Sequence, residues 1–537
     1  MHRLVVTLGL APFLLLAPTA VAVPGKVLGS VPSPADHPTG LAWQAGKLWV
    51  ADHRADALVE VDPATGRALR RLSSPGYRPA GLAATGTHLW VGDVEDGNLY
   101  KVDARTGAVE ETLESPVKAP VALAWTGKAL WLAARGKPRI YEVDPADGTS
   151  VRTIPVPARS VDGLTWDGRY LWVADRLEDR VYAVDVAQGD VIFAFAAPGP
   201  YVAGLAFDGR HLWSVDYQTR RLARLAHDDG EKVARVARRR QAVEFVYELR
   251  NHGPQAVTTL DAYLALPGAH PSFDLVKAPA LTTPGGRILT DPAGQRVAHH
   301  RLANLASGAR VTLGWRAEVT LHELRYYPWP HRIGPLSEVP ADVRRHLADG
   351  DKYQLRHPLV RETVRKVVGA ERNPYWIARR LVRWVQQRMT YQMSGGWNAA
   401  PRLIERGTGS CSEYSFLAIA LLRAAGVPAR YVGALVVRKD DASWDDVFHR
   451  WIEIYLPRFG WLPVDPQAGD KDAPADQGEH FHHLSPDVLV TGSDSPYLRW
   501  TYNYDVRYTC AGRCLVKQEA LAEWRPLAPS TPAPPAR

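Results

Sequence analysis

The sequence predicts a multidomain chain: an all-β propeller of about five blades, then a small β-sandwich, then an α+β domain that carries the chemistry. Three observations predict this. A tryptophan recurs at 49, 90, 131, 172 and 213, spaced 41 residues apart every time. Residues 241 to 325 alternate apolar and polar side chains, the period of strands. From Asp351 onward the apolar spacing lengthens to that of helices. At 537 residues the chain is too long for one core.

The chain opens with His2 and Arg3, an apolar run from Leu4 to Leu16, and Ala20-Val21-Ala22, which reads as an A-x-A cleavage site. This is the pattern of a signal peptide over residues 1–22, and it predicts an exported protein, periplasmic or extracellular. No later stretch reaches the roughly 18 apolar residues of a membrane helix, so no integral membrane segment is expected after cleavage. Lys and Arg number 65 against 57 Asp and Glu. Losing Arg3 leaves 64 against 57, or +7, which over so long a chain excludes a nucleic-acid footprint. The densest basic run, Arg235 with Arg238, Arg239 and Arg240, reads as a solvated domain junction. Of three cysteines, Cys510 and Cys514 are close enough in sequence to bridge in an oxidising compartment. Cys411 is then left over, and a reactive thiol is one explanation for an odd cysteine in an exported chain.

Residues 23–240 are assigned to the propeller. Around each tryptophan the text repeats, as in TGLAWQAGKLWVADH and DGLTWDGRYLWVADR, followed by segments such as LVEVDPATG. Each unit offers four short strands, and a period near 40 with four strands is a propeller blade. One large aromatic per unit at a fixed place reads as inter-blade core. Asp52, Asp93, Asp175 and Asp216 follow the tryptophans and read as turn acceptors. A further strand, Lys26 to Val31, resembles the last strand of a blade and is expected to close the ring into the fifth unit. The repeats resemble propeller repeats of the NHL or YVTN type. A ring closed in this way is expected to fold by itself.

Residues 241–330 are assigned to a β-sandwich linker domain, with Val311, Leu313, Trp315, Ala317, Val319 and Leu321 on one face. Tyr326 to Pro330 reads as a stiff linker.

Residues 331–510 are assigned to the catalytic domain. Ile377, Leu381, Trp384 and Val385 form the apolar face of a helix whose arginines read as a solvent face. A second helix is predicted from about Cys411 to Ala425, ended by Gly426 and Pro428. A thiol at a helix start is easier to ionise, because the positive helix end stabilises thiolate. The segment FHRWIEIYLPRFGWLPVDP then predicts two strands around a turn. His449, Trp451, Glu453 and Tyr455 share one face, and Asp465 ends the second strand. Pairing numbers summing to 914 would set His449 directly opposite Asp465 across a loop of Leu456-Pro457-Arg458.

GTGSCSEY followed by LLRAAGVPARYV, then H-x-W-I-E-I-Y, then G-W-x-P-V-D-P, resembles the transglutaminase-like superfamily over roughly residues 351 to 500. The resemblance implies a papain-like α+β core with Cys411 as nucleophile, His449 as base and Asp465 as its orienter. It does not fix the oxyanion hole, for which Gln392 and Trp397 are candidates. It implies a cysteine peptidase, amidase or acyltransferase acting on a peptide or protein substrate, which the propeller could help recognise. Hydrolysis is favoured over amine transfer, because a thioester meets water unless its site is dry. The alternative is a non-enzymatic binding protein with the propeller as recognition element and the catalytic fold as scaffold. No cofactor is expected. His480, His482 and His483 read as a solvated loop, with no metal expected there. Residues 511–537, with their Pro-rich end from Arg525, read as a partly disordered tail.

Overall fold

The computed structural model describes residues 22–157, 159–228, 230–393, 397–440, 442–493 and 503–528. All of the expected leader except Ala22 lies outside the described residues, as does the end of the chain beyond 528.

Each 41-residue unit forms one four-stranded antiparallel blade, and five blades stand in a ring. In the first, Pro38–Gln44, Lys47–Asp52, Ala57–Val61 and Ala68–Ser73 pair in chain order. The fifth blade takes its outermost strand from the start of the chain: Val27–Pro32 pairs antiparallel with Arg221–Ala226. Arg221 reinforces this closure by donating to the Ser30 hydroxyl at 2.7 Å and the Ser30 carbonyl at 2.9 Å. The five tryptophans are at most 4% exposed, and each packs on the next blade, as Trp49 does on Leu82 and Leu89. The aspartates behind them hold turns. Asp52 accepts from the backbone of Asp36 at 2.9 Å and of Arg54 and Ala55 at 3.2 Å, and Asp93, Asp175 and Asp216 repeat the pattern. The innermost strands crowd the axis closely enough to need glycine: a Cβ on Gly40 would fall 2.1 Å from the Ala80 carbonyl oxygen.

One blade differs from the rest. The outer strands Ala68–Ser73, Val109–Glu114 and Ser150–Pro155 are largely exposed, whereas Asp190–Ala196 of the fourth blade is buried along almost its whole length. The helix Pro474–His482 covers it, with Gly478 close against Val191. The linker adds to this contact instead of spanning solvent. Trp329 is 5% exposed and sets its ring 4.8 Å from Phe193 and 5.4 Å from Tyr170.

The sandwich is built on two long paired strands, Val233–Asn251 and Arg310–Tyr326. It begins within the segment assigned to the propeller. The basic run there is largely paired: Arg235 with Asp274, Arg238 with Glu323 and Arg239 with Asp487. The predicted tail is also corrected. Val516–Pro526 pairs along Val233–Asn251, and Tyr504–Cys510 joins the second sheet beside Val257–Ala265. The inward face of Val516–Pro526 carries Ala520, Ala522 and Trp524, and alanines give a faint alternation that the following prolines hide. Cys510 and Cys514 pair as a disulfide across a Cα–Cα span of 6.0 Å, joining the ends of these two strands.

The C-terminal half packs helices Pro358–Val368, Pro374–Arg388, Ala400–Arg406 and Cys411–Ala424 beside a sheet. The sheet order is Gly460–Val464, His449–Leu456, Ala429–Val436 and Val488–Ser493. The arginines of Pro374–Arg388 do not form a solvent face. Arg379 is 5% exposed, and both Arg379 and Arg383 reach Asp190 of the fourth blade. An apolar-period reading cannot see this, because the charged partner lies far off in sequence.

Candidate active site

Cys411 is the first residue of the helix Cys411–Ala424, and its thiol is partly exposed. Ser410 precedes it in extended backbone. Glu413 caps the turn: its carboxylate accepts from Ser410 N–H at 3.0 Å. Its other oxygen accepts from the backbone and side-chain amides of Asn398, at 3.1 and 2.7 Å. Glu413 is fully buried, so one side chain ties the 397–398 loop to the nucleophile's turn. The motif contains this glutamate, but only the fold discloses its task.

His449 opens the strand His449–Leu456, opposite Ala434. Its Nε2 lies 2.5 Å from Asp465 Oδ2, which leaves Nδ1 as the nitrogen available to the thiol. Asp465 is anchored on its other oxygen, which accepts from the N–H groups of Gln467 at 3.1 Å and Ala468 at 2.9 Å. Its own N–H donates to the His480 carbonyl at 2.9 Å. Trp451 stacks on the imidazole at 5.9 Å and fixes its plane.

The hairpin register differs from the expected one. Tyr455 pairs with Trp461 and Leu456 with Gly460, so paired numbers sum to 916 rather than 914. The loop keeps three residues but is Pro457-Arg458-Phe459, one position later. Arg458 adopts a left-handed φ of 66° and Gly460 a φ of 115°, so the chain reverses where glycine follows. The two-residue shift keeps His449 and Asp465 on one face but makes them diagonal neighbours. They meet because the chain turns at Asp465, just past the strand's end.

The electrostatics favour an ion pair. Burial alone would raise the Cys411 thiol, but its hydrogen bond to His449, the histidine's charge and the nearby Arg450 guanidinium outweigh this and hold it below its ordinary value. Burial would lower His449, yet the Asp465 carboxylate and the thiol hold it well above the usual imidazole range. Asp465 is in turn held low: burial opposes its charge, and His449 and the Ala468 N–H overcome it. A thiolate facing an imidazolium, oriented by a carboxylate, is the resting state of a cysteine nucleophile.

The remaining candidates lie around this centre. Gln392 directly follows the short strand Thr390–Tyr391, which pairs with Thr408–Gly409, and its N–H donates to the Gly409 carbonyl at 2.8 Å. Its side-chain oxygen accepts from Arg406 at 3.2 Å. Trp397 takes a φ of 37° and packs edge-on to Phe416 at 5.5 Å, next to the loop that Glu413 holds. His480, His482 and His483 are not in a solvated loop. The first two close the helix Pro474–His482, and His482 is 1% exposed. His483 bonds Glu479 at 2.8 Å. Polar spacing concealed a helix whose apolar contacts come from distant segments: the propeller's fourth blade, and Tyr375, whose ring lies 5.5 Å from Phe481. Among the described residues, the cluster able to hold a metal is His88 with Asp103 and Glu110, far along the chain in the second blade.

The thiol, the histidine and the carboxylate thus stand together where the helix Cys411–Ala424 meets the sheet. The Transglutaminase-like superfamily model matches residues 361–466, which include all three. The C-terminal half therefore carries a transglutaminase-like domain. Over 76 residues the chain is 36% identical to a protein-glutamine gamma-glutamyltransferase of Pseudomonas aeruginosa, covering 12% of this chain and 10% of that protein. Over 77 residues it is 31% identical to the uncharacterized protein YebA of Bacillus subtilis, with the same coverage. The chain thus spans about a tenth of the length of these curated relatives. A solved structure of a candidate cysteine protease from Cytophaga hutchinsonii aligns at 13% identity and a TM-score of 0.40, over 54% of this chain and 99% of that one. The WD40 propeller domain of Doa1 aligns at 10% identity and a TM-score of 0.27, over 35% of this chain and 62% of that one.

Proposed function

We propose that the chain is an exported cysteine-dependent acyl-transfer enzyme that cleaves an amide of a peptide or protein, with hydrolysis favoured over transfer to an amine. The observation that carries this reading is the Cys411 thiol held at a helix start against a histidine bonded to Asp465 at 2.5 Å. The Cys411 thiolate adds to the carbonyl carbon, and the oxyanion forms beside the helix-end N–H groups, with Gln392 and Trp397 on the neighbouring segments. Imidazolium His449 gives its proton to the departing nitrogen as the C–N bond breaks. The thioester is left on sulfur. His449 then takes a proton from water, hydroxide oxygen adds to the carbonyl, and the thiolate leaves with the acid released. The partly exposed thiol supports water as the acceptor. Export is supported by the leader pattern of residues 1–22 and by the Cys510–Cys514 pair, which suits an oxidising compartment.

The test is a thiol-directed activity probe on the full chain, beside Cys411→Ala, followed by a dye-labelled primary amine with peptide substrates. Probe labelling lost in the variant, with acid release exceeding amine incorporation, is the expected result. Labelling that survives the substitution would overturn the nucleophile assignment, and dominant amine incorporation would overturn the preference for water.

A further inference from the structure

The propeller has a cavity at one mouth. At the end of its central channel, where each second strand of a blade finishes, a cavity of about 190 Å³ opens. It lies at the opposite end of the blades from Asp167 and Tyr170, where the linker's His331 bonds Tyr170 at 2.9 Å. The positions that build the ring hardly vary: 48, 89, 130, 171 and 212 are all leucine, and the next position is always tryptophan. The positions that face the mouth have diverged. At 53, 94, 135, 176 and 217 stand His, Val, Arg, Arg and Tyr, spaced by the same 41 residues. These side chains lie outside the inter-blade core, so the ring does not fix their identity and the mouth is free to carry its own chemistry.

That chemistry is cationic and aromatic. Arg176 is matched within the cavity: its guanidinium lies 3.4 Å from Asp162 and 5.0 Å from the Tyr201 ring centre. Arg78 and Arg135 also line the cavity, both exposed; Arg135 feels the Asp162 carboxylate at longer range, and among the described residues neither guanidinium makes a close ion pair. Tyr201 and Tyr217 stand 5.1 Å apart beside them. The floor is Pro79, Ala80, Val121 and Ala203, low-dielectric walls that strengthen any charge interaction above them.

We infer that this mouth binds a carboxylate presented by a peptide, with Arg78 and Arg135 as its clamp. Guanidinium forks match the two oxygens of a carboxylate. The cavity is too small for a drug-sized ligand but admits one acidic side chain or a chain terminus. Asp162 on the same wall disfavours the doubly charged phosphate. Asp162 is itself raised above its usual value by burial, only partly offset by Ser160 and Arg176, which marks the enclosure of this wall. This site stands independently of the thiol chemistry.

The test is calorimetric titration of the full chain with the tripeptide Ala-Ala-Glu, its uncharged counterpart Ala-Ala-Gln-amide, and inorganic phosphate. Saturable binding of the acidic tripeptide is expected, weakened at least tenfold by amidation, by raised salt, and by the Arg78→Gln/Arg135→Gln double variant. That variant should keep the wild-type rate of thiol labelling at Cys411. Asp162→Asn should tighten binding several-fold, since it frees Arg176. No binding of the acidic tripeptide would overturn the inference. So would equal binding of the neutral peptide, tighter binding of phosphate, affinity unchanged in the double variant, or affinity not increased in Asp162→Asn.

Discussion

Replacing Asp465 by asparagine tests the site most directly. The carboxylate bonds on both sides: one oxygen to His449 Nε2 at 2.5 Å, the other to two backbone N–H groups. Asparagine can keep the backbone pair only by turning its oxygen towards Gln467 and Ala468. Its NH2 group then faces His449 Nε2, which must give up its hydrogen to accept. The ring's proton moves to Nδ1, the nitrogen that has to take the proton from Cys411. The variant therefore folds but holds the base in the wrong tautomer. A loss of roughly 10²- to 10⁴-fold in turnover follows, about 3 to 5 kcal/mol of transition-state stabilisation. Two assays read it: steady-state hydrolysis of a peptide amide, and the pH profile of Cys411 alkylation by iodoacetamide. Without the Asp465 charge, His449 loses the partner that holds it high, the imidazolium fades at neutral pH, and the thiolate fades with it. The alkylation midpoint should move upward. Full turnover in a correctly folded variant, or a midpoint that moves downward, would refute the reasoning.

Three further outcomes are expected. Glu413→Ala should release the 397–398 loop while the helix persists, reducing turnover at least tenfold with a thiol still open to alkylation; wild-type kinetics would show that the cap does not position the site. Glu453 is held at about 2, because Arg430 and His270 outweigh the burial that would raise it. Its stabilisation of roughly 3 kcal/mol is therefore present above the ordinary glutamate range and lost as pH falls towards 2. Glu453→Gln should lower stability at pH 7 and flatten its decline between pH 5 and 2.5 in calorimetry, and an acid limb parallel to wild type would contradict this. Removing residues 23–35 strips the fifth blade of its outer strand and exposes the edge of Arg221–Ala226, so the propeller transition should fall by at least about 5 °C; an unmoved transition would refute the closure.

What the sequence disclosed followed from regularity. Five tryptophans at one spacing and a strand resembling a blade's last one were enough for a closed ring, because each unit repeats the same local physics. That Cys411, His449 and Asp465 would meet was legible because their order and flanks form one motif. The hairpin register was not, since it hinged on whether Arg458 or its neighbour would enter the left-handed region, a choice that the following Gly460 decided. Contacts between distant segments were also hidden. Arg383 looked solvated until Asp190 stood beside it, and Val516–Pro526 looked like tail until Val233–Asn251 offered it a partner. Glu413 was visible as a letter of the motif, but its bonds to Asn398 required the loop to fold back.

The buried outer strand of the fourth blade limits how this chain can be divided. Asp190–Ala196 reads DVIFAFA where the other blades carry ALRRLS, VEETLE and SVRTIP, so the divergence is written into the repeat. A propeller cut free at the linker would still close, yet it would offer water an apolar seam on one side, and self-association is its natural fate. The converse cut is no better. The helix that seals this seam carries His480 in its last turn, and the His480 carbonyl receives the N–H of Asp465. A catalytic half expressed alone would lose the surface that braces that helix, and with it the anchorage of its acid. The two halves are thus a single machine with a shared bearing, and attempts to graft this catalytic domain elsewhere must carry the fourth blade along.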